Sequence, residues 1–523
     1  MPIAIALAAC QRSQITYETG PHFRADVHSK ALFANAVAAA QIATKSGFTG
    51  DAPPVLEKRG PGLSGPFARK AGIGMSTHET TPRALTSGTA AGLRGTLRVP
   101  GDKSVSHRAL MLGALALGET EIHGLLEGED VLRTAAAMRQ LGGETEKGAD
   151  GIWRARGRGN GGLAEAADVL DLGNAGTGTR LLMGLVAPYP MTTFFTGDAS
   201  LRSRPMARVS EPLQLMGARF ATRSRGRPPL AVIGTSQPLP ITYKLPVASA
   251  QVKSAILLAG LNTPGITTVI EPEATRDHTE LMLRGFGVEV KVEETPEGRA
   301  SSITGQMELT GRKIIVPGDP SSAAFPIVAA LILPGSDIVI ENVGLNPHRI
   351  GLIDTLIEMG GSIEIRHARI EAGEKVGDLH VTHSHLKGVT VPASRAPSMI
   401  DEYPILSVAA SFAEGETKML GLAELRVKES DRLGAMARGL AACGVMVEEG
   451  PDWLSIKGNG KRPKGGAHIA VNLDHRPAMS FLVLGMAAEK PVSIDDGSPI
   501  DTSFPGFAEL INGLGGSIST VKN

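Results

Sequence analysis

Short apolar stretches alternate with longer apolar stretches of helical period from about residue 95 to the end of the chain. Each short stretch predicts a β-strand, ends in a polar loop that often contains Pro or Gly, and is followed by a predicted helix. The pattern recurs at intervals of about 71 to 82 residues, which is typical of a repeat architecture. Its six strand-to-loop segments begin at Leu97, Leu170, Lys244, Ile315, Val389 and Val471.

A second strand–loop–helix segment in each unit ends on a glycine. Glycine adopts positive φ angles without strain and commonly follows the end of a helix. The glycines concerned are Gly142, Gly217, Gly287, Gly360, Gly444 and Gly515. Units of this kind divide into two halves of three and predict an α/β protein. Residues 316–321 resemble residues 99–104 most closely, so we expect the chain to cross between two domains near both segments.

The length of the chain also predicts two domains. At 523 residues it exceeds the size at which a single hydrophobic core stops growing, about 250–300 residues. Residues 1–90 stand outside the repeat and are rich in Ala, Gly, Pro and Ser, so we expect a disordered N-terminal extension there. Met75 lies just before the repeats and is a candidate for the true start of the protein.

Composition limits the kinds of partner. The chain has 53 basic and 53 acidic residues, which argues against a nucleic acid or a membrane surface as the main partner. Its two cysteines fit a reducing compartment and supply no disulfide framework. No run reaches the roughly 18 apolar residues of a membrane span, so we expect a soluble, cytoplasmic and monomeric protein. The sequence contains no metal-ligand motif, and neither a metal nor another cofactor is expected.

The loops that lead into the predicted helices are rich in cations. Helix N-termini carry unpaired N–H groups and about half a positive charge, so several in one cleft would bind an anion strongly. Most strand–helix loops are only solvated turns, but the clustering of cations here favours a site for an anionic ligand. The cations are Lys103, Arg108, Arg204, Arg276, Arg349, Lys428, Arg432 and Arg476.

Individual loops differ in the chemistry that they offer. Residues 101–108 combine two cations with two hydroxyls at a predicted helix start, which suits a phosphate or a carboxylate. Residues 173–178 form either an anion-binding nest or a tight turn, and residues 249–253 offer a hydroxyl and an amide to a polar molecule. Asp401 and Glu429 lie beside cations, as either proton-transfer groups or members of structural salt bridges. These features predict a two-domain α/β enzyme that binds multiply anionic small molecules and uses acid–base catalysis.

Several loop motifs, taken together, resemble the EPSP synthases, the 3-phosphoshikimate 1-carboxyvinyltransferase family of the shikimate pathway. The matching stretches are, in chain order, residues 100–108, 174–178, 204–206, 426–432 and 474–476. The sequences of residues 197–201 and 400–404 are similar to those of the bacterial class II branch. The likeness extends from about Leu93 to Ile518, nearly the whole repeat region.

The resemblance implies a fold and a reaction. The implied fold is a two-domain inside-out α/β barrel of six βαβαββ units, with one domain at residues 98–313 and the other at residues 91–97 plus 314–523. The implied reaction transfers the enolpyruvyl group of phosphoenolpyruvate to the 5-hydroxyl of shikimate 3-phosphate and releases phosphate, without a cofactor. It is a step of chorismate and aromatic amino-acid biosynthesis.

The resemblance also implies a role for each matched residue. Lys103 is expected to reach both substrates, Asp401 to accept the proton of the attacking hydroxyl, and Glu429 to protonate the methylene carbon of phosphoenolpyruvate. The implied shikimate 3-phosphate ligands are Lys103, Ser104, Arg108, Ser249, Ala250, Gln251, Arg276, Asp401 and Lys428. The implied phosphoenolpyruvate ligands are Lys103, Gly176, Arg204, Gln251, Arg432 and Arg476. Gly176 is the small residue associated with glyphosate-sensitive members, so we expect glyphosate to compete with phosphoenolpyruvate.

Two other functions are compatible with the same fold. The sister transferase that acts on UDP-N-acetylglucosamine has a reactive cysteine before its Arg-Pro pair, and Ala199 stands at that position here. A non-catalytic relative of the repeat fold is the second alternative. The neutral net charge and the presence of both Asp401 and Glu429 argue against it.

Overall fold

The computed structural model describes residues 82–371 and 373–521. Residues 1–81, which include most of the predicted extension and the candidate start at Met75, lie outside the described residues. Among the described residues, no helix has both the length and the apolar character needed to cross a bilayer.

The described strands are short and distributed over the whole repeat region. In chain order they are β1 Leu85–Ser87, β2 Arg94–Leu97, β3 Glu119–His123, β4 Glu144–Lys147, β5 Trp153–Arg156, β6 Leu170–Asp171, β7 Thr192–Thr196, β8 Arg219–Arg223, β9 Arg227–Ile233, β10 Thr242–Lys244, β11 Ile266–Glu271, β12 Val290–Thr295, β13 Gly298–Thr304, β14 Lys313–Ile315, β15 Asp337–Gly344, β16 Ser362–Glu371, β17 Glu374–Thr382, β18 Thr390–Val391, β19 Glu414–Leu420, β20 Met446–Glu449, β21 Trp453–Asn459, β22 His468–Ile469, β23 Val492–Ile494 and β24 Ile518–Thr520.

The described helices follow the strands in regular alternation. They are α1 Lys103–Gly113, α2 Glu129–Gln140, α3 Gly176–Val186, α4 Ala199–Ser203, α5 Ala207–Leu215, α6 Ala250–Leu261, α7 His278–Gly285, α8 Pro320–Ile332, α9 Gly351–Glu358, α10 Ala396–Met399, α11 Tyr403–Phe412, α12 Arg432–Ala442, α13 His475–Ala487 and α14 Phe507–Gly513. Short 3₁₀ helices cover Ser224–Gly226, Ala393–Arg395, Ala423–Val427 and Ser498–Thr502.

The described strands form six four-stranded sheets, each with one parallel and two antiparallel pairs. In four of these sheets a helical crossover connects the two parallel strands, and in five a hairpin connects two antiparallel strands, as expected of a βαβαββ unit. The strand orders are β14-β3-β5-β4, β6-β7-β9-β8, β10-β11-β13-β12, β16-β17-β15-β2, β18-β19-β21-β20 and β22-β23-β1-β24. The prediction of an α/β fold built from six repeated units is confirmed.

The glycines of the second series end helices as their positions predicted. All six have positive φ, between 80° and 102°. At Gly142, for example, the backbone N–H donates to the Arg139 carbonyl just after α2, a bond that closes the last turn of the helix. A side chain at such a position would strain the backbone, which explains why glycine recurs there.

The buried apolar side chains form two separate clusters, which define two lobes. The first lobe contains the cluster from residues 105–316, and the second contains the cluster from residues 85–99 and 323–518. The chain passes between the lobes at residues 98–102 and again at residues 316–319. These two crossover segments pair with each other through Gly101 and Gly318. Asp102 N donates to Pro317 O at 2.7 Å, and Asp319 N donates to Pro100 O at 2.9 Å.

Two details differ from the predicted boundaries. The predicted disordered extension reached residue 90, but Leu85–Ser87 forms β1 between β23 and β24, where it completes the last sheet. A three-residue strand gives too short a pattern to be recognised in the sequence. Residues 314 and 315 were assigned to the second domain, but they belong to β14 and pair in parallel with β3 of the first lobe.

Candidate active site

Helices from both lobes begin close to the predicted site residues. Lys103, Gly176 and Arg432 are the first residues of α1, α3 and α12. Arg476 is the second residue of α13. The carboxylates of Asp102, Asp431 and Asp474 and the hydroxyl of Ser249 accept N–H groups at the starts of α1, α12, α13 and α6.

Asp401 lies at the centre of a group of cations. Its Oδ2 is 2.9 Å from Arg276 Nη2, and its Oδ1 is 3.0 Å from Arg432 Nη1 and 3.5 Å from Lys428 Nζ. Burial alone would raise the pKa of Asp401, but the charges of Lys428, Arg476, Arg276 and Arg432 outweigh it and hold the pKa well below its usual range. Asp401 is therefore ionised near neutral pH. Because Arg276 belongs to the first lobe and Asp401 to the second, this contact also joins the lobes.

Glu429 lies on the other side of Arg432. Its Oε2 is 2.5 Å from Arg432 Nη2, and its Oε1 is 3.6 Å from Arg204 Nη1 of the first lobe. Burial again would raise the pKa of Glu429, but Arg432 and Arg204 hold it below the ordinary value. The role expected of Glu429, protonation of the methylene carbon of phosphoenolpyruvate, requires a carboxyl group that is neutral near pH 7. In the absence of ligand, the surroundings of Glu429 favour the opposite state.

Arg432 and Arg476 are held by acidic residues from their own lobe. Asp474, which is 0% exposed, accepts from Arg432 Nε at 2.9 Å and from its Nη2 at 3.2 Å. Arg476 Nη1 donates to the backbone carbonyl of Asp401 at 3.0 Å and to Glu402 Oε1 at 3.1 Å. Both guanidinium groups are thus fixed at the start of a helix. Arg476 keeps its Nε and Nη2 groups for bidentate binding of an anion, whereas Arg432 is engaged by Asp474, Asp401 and Glu429.

Arg204 is held in the same way on the first lobe. Its Nη2 donates to Asn174 Oδ1 at 2.6 Å and to Ser200 Oγ at 3.0 Å, and its side chain is 10% exposed. Gly176 packs against this guanidinium so closely that a Cβ added there would lie 2.7 Å from Arg204 Nη1. The tight turn is present in this loop, where Asn174 holds the cation and α3 begins at Gly176. The N–H groups of Ala175 and Gly176 donate to the carbonyls of Leu172 and Asn174, and the anion nest stays a prediction.

Gln251 is oriented by two neighbours on α3. Its Oε1 accepts from Arg180 Nη1 at 2.8 Å, and its Nε2 donates to Thr177 Oγ1 at 2.9 Å. Burial, followed by the like charge of Arg204, lowers the pKa of Arg180 to about 10. Sequence analysis did not single out Arg180, although it follows Gly176 by four residues and so lies on the same face of the helix.

The first loop places Lys103 towards the site and Arg108 behind it. Lys103 Nζ is 2.9 Å from Asp130 Oδ2, and its charge helps to lower the pKa of the buried His475 of the second lobe. Arg108 is 4% exposed, and burial lowers its pKa to about 10. Its guanidinium donates to Thr279 Oγ1 at 2.7 Å, to Ser254 Oγ at 2.8 Å and to the Ser104 carbonyl at 2.9 Å.

These contacts bring together most of the residues that the sequence singled out. Ion pairs and hydrogen bonds connect Arg276, Asp401, Lys428, Arg432, Glu429, Arg204 and Arg476. Ser249 and Ala250 precede Gln251 at the start of α6, and Ser104 follows Lys103 in α1. Arg349 differs from the cations of this network because its two carboxylate partners, Asp102 and Asp319, lie in the crossover segments. Within the described residues, no three His, Cys, Asp or Glu side chains are placed to share a metal ion.

Three comparisons with known proteins agree on one family. The sequence profile described as EPSP synthase (3-phosphoshikimate 1-carboxyvinyltransferase) matches residues 88–511. The 3-phosphoshikimate 1-carboxyvinyltransferase of Paramagnetospirillum magneticum is 67% identical over 84% of this chain and 98% of its own length. The enzyme of that name from Rhodospirillum rubrum is 61% identical, over 84% of this chain and 99% of its own length.

Solved structures show the same likeness. The EPSP synthase of Acinetobacter baumannii is 44% identical with a TM-score of 0.76, and the match covers 84% of this chain and 100% of that chain. The enolpyruvyl transferase NikO of Streptomyces tendae has a TM-score of 0.67 at 18% identity, again over 84% of this chain and 100% of that one. The NikO match shows that the fold is shared.

Proposed function

Because the chain belongs to the EPSP synthase family, we propose that it transfers the enolpyruvyl group of phosphoenolpyruvate to the 5-hydroxyl of shikimate 3-phosphate and releases inorganic phosphate. The observation that supports this most directly is the meeting of Asp401 and Glu429 with four cations drawn from both lobes. Two substrates that each carry a phosphate and a carboxylate need such a concentration of positive charge. The reaction also needs one group that accepts a proton and one that donates a proton to carbon.

Shikimate 3-phosphate is assigned to the face formed by α1, α6 and Arg276. Lys103, Ser104, Ser249, Ala250 and Gln251 lie at the starts of α1 and α6, where free N–H groups and the helix dipole favour a phosphate. Arg108 and Lys428 complete the set that the family motifs assign to this substrate. The three protein contacts of Arg108 support a role in which it holds α1 in place while its remaining N–H groups face the phosphate.

Phosphoenolpyruvate is assigned to the cations around Gly176. Arg204, Arg432 and Arg476 are each fixed by acidic or amide partners, so their guanidinium groups are already oriented for a phosphate and a carboxylate. Lys103 and Gln251 are assigned to both substrates. The absence of a side chain at Gly176 leaves room beside Arg204.

The reaction begins when the 5-hydroxyl oxygen attacks C2 of phosphoenolpyruvate. Asp401 is ionised and accepts the hydroxyl proton, while Glu429 donates a proton to C3 and converts the methylene into a methyl group. The bond from C2 to the phosphate oxygen of the tetrahedral adduct then breaks, and phosphate leaves with the electron pair. Glu429, now ionised, takes back a methyl proton, or Asp401 does so after it has passed the hydroxyl proton to the departing phosphate. Either route restores the carbon–carbon double bond in the product.

The low pKa of Glu429 without ligand is compatible with this step if the substrates change its surroundings. Arg432 and Arg204 lower the pKa of Glu429, and both arginines are assigned to phosphoenolpyruvate. The anionic groups of the substrate neutralise these cations, so burial, which favours the protonated carboxyl, then dominates. Closure of the site around the substrates excludes water and strengthens the same effect.

The rival transfer to UDP-N-acetylglucosamine has no support here. Ala199, the first residue of α4, occupies the position of the reactive cysteine in that family. The family match and both named relatives are 3-phosphoshikimate 1-carboxyvinyltransferases.

Phosphate release measured with both substrates tests the proposal. We expect release only when phosphoenolpyruvate and shikimate 3-phosphate are both present, and none with UDP-N-acetylglucosamine. Glu429→Gln should lower kcat by about 10² to 10⁴. Glu449→Gln is a matched control, because Glu449 pairs with Arg426 away from the reacting groups. Undiminished activity in Glu429→Gln contradicts the acid role.

One copy of the chain supplies every residue assigned above, which supports a monomeric enzyme. Size-exclusion chromatography at micromolar concentration tests this. A cytoplasmic location stays a prediction that rests on the two cysteines and on the lack of a run of roughly 18 apolar residues in the sequence.

A further inference from the structure

Arg349 is the one predicted cation to which the family motifs assign no substrate. It lies in the second lobe between β15 and α9, and its side chain is 3% exposed. Its Nη1 is 2.7 Å from Asp102 Oδ2, and its Nη2 is 2.8 Å from Asp319 Oδ1. Ser321 Oγ accepts a further bond from Nη2 at 3.0 Å, and His278 Nε2 accepts one from Nη1 at 3.2 Å. None of these contacts of Arg349 reaches Asp401, Glu429 or the cations around them.

The two aspartates occupy equivalent places in the two crossover segments. Asp102 accepts from Val105 N at 2.9 Å and caps α1, and Asp319 accepts from Ser321 N at 2.8 Å and caps α8. Each helix is the first of its lobe after a crossover. One guanidinium therefore holds the starts of both helices, and its planar fork fits two separate carboxylates, as a lysine ammonium does not.

Two routes lead from this contact to the reacting groups. Asp319 Oδ2 also accepts from the backbone N–H of Lys103 at 3.2 Å, so the position of α8 is coupled to the residue assigned to both substrates. His278, which contacts Arg349, begins α7 two residues after Arg276. Arg276 in turn forms the 2.9 Å contact with Asp401.

We propose that Arg349 is a positioning residue that fixes the two crossovers against each other and so aligns Lys103 and Arg276 with Asp401. This inference rests on the proposed function, since its effect is measured on that reaction. A residue that only neutralised buried carboxylates would stabilise the fold without setting this alignment. The two roles make different predictions when the carboxylates are neutralised as well.

The first variant is Arg349→Lys, which keeps the charge and loses the fork. We expect kcat/KM to fall at least tenfold with either substrate varied. The melting temperature should remain within a few degrees of that of Arg395→Lys, the matched control. Arg395 also grips one carboxylate, Glu358, with two bonds of 2.6 and 2.7 Å, but it contacts neither crossover. The control should retain kcat/KM within about twofold of the wild type.

The second variant is the triple substitution Asp102→Asn, Asp319→Asn and Arg349→Met. Asparagine caps helices as well as aspartate does, so both caps are kept while the charges of these three side chains are removed. We expect the melting temperature of the triple variant to stay close to the wild-type value while its kcat/KM is at least tenfold lower than that of the wild type. Wild-type kcat/KM in the triple variant, or in Arg349→Lys, overturns the positioning role. A wild-type protein that releases no phosphate from the two substrates contradicts the proposed function instead.

Discussion

The contact between Gly176 and Arg204 allows the effect of one added methyl group to be calculated. In Gly176→Ala the new Cβ would lie 2.7 Å from Arg204 Nη1 and 3.3 Å from Arg180 Nη1. A relaxed contact between such atoms needs about 3.5 Å, so Arg204 Nη1 has to move by about 0.8 Å. The end of an arginine side chain can make that movement, and we expect the variant to fold normally.

The displaced guanidinium binds phosphoenolpyruvate less well. Asn174 and Ser200 hold its other nitrogen, so the group tilts instead of shifting as a unit. A hydrogen bond to a charged group contributes about 1.5 to 3 kcal/mol, and a displacement of this size loses about half of the middle to upper values, about 2 to 2.8 kcal/mol. A loss of about 1 to 1.4 kcal/mol raises the KM for phosphoenolpyruvate about five- to tenfold. The KM for shikimate 3-phosphate should change by less than about twofold.

Glyphosate provides a second measurement at the same position. We expect it to inhibit the wild type competitively with phosphoenolpyruvate. Its chain is longer than that of phosphoenolpyruvate, so its inhibition constant should rise in Gly176→Ala by a larger factor than the KM. An inhibition constant that does not change contradicts the contact.

Steady-state phosphate release at varied phosphoenolpyruvate is the assay, with two comparisons. Gly513→Ala adds a methyl group to a helix with no atom within 4 Å and should leave both KM values unchanged. In an Arg204→Lys background the shorter reach of the lysine removes the clash, so Gly176→Ala should have little further effect. An equal rise of KM in both backgrounds refutes the explanation through Arg204.

Three further predictions concern groups whose charge or pKa the structure sets. When the protein forms the ternary complex with shikimate 3-phosphate and glyphosate, the wild type should take up to about one more proton than Glu429→Gln. Calorimetry in buffers of different ionisation enthalpy measures this uptake, and equal uptake in the two proteins contradicts protonation of Glu429. Burial, followed by the charge of Lys103, lowers the pKa of His107 to about 3. The unfolded chain therefore binds a proton below about pH 6.5 that the folded chain does not bind. The free energy of unfolding of the wild type should fall by about 2 to 3 kcal/mol between pH 6.5 and 4.5, whereas that of His107→Gln should not fall in this way. Urea unfolding measures both. Asp474→Asn keeps the cap of α13 but weakens the hold on Arg432, and should raise the KM for phosphoenolpyruvate about tenfold. An unchanged KM would show that Arg432 is fixed by its other partners.

Local signals in the sequence determined the architecture. A strand that ends in Pro or Gly, a polar loop and an apolar helix each depend on residues close together in the chain, so their sixfold recurrence could be recognised directly. Gly142 and its counterparts show this clearly, because each supplies a positive φ that other residues adopt only with strain. The sequence also identified the loops that carry the site, because the cations stand between each predicted strand and the helix that follows it.

Such local signals could not identify very short strands or strands that pair with a distant part of the chain. Leu85–Ser87 has only three residues, and its place between β23 and β24 depends on strands more than 400 residues away. The exact point at which the chain leaves the first lobe depends on the pairing of β14 with β3. Neither pairing is encoded near the strand that makes it.

The sequence determined which charged groups would gather, and only the tertiary structure decided how they pair. Arg204 and Arg349 are both loop arginines next to predicted helices, and nothing in their neighbourhoods separates them. In the folded chain Arg204 meets Glu429 across the lobes, whereas Arg349 is enclosed by Asp102 and Asp319. The physical reason is that a salt bridge depends on distances of a few ångströms between residues far apart in sequence. Those distances exist only after the two crossovers have brought the lobes together.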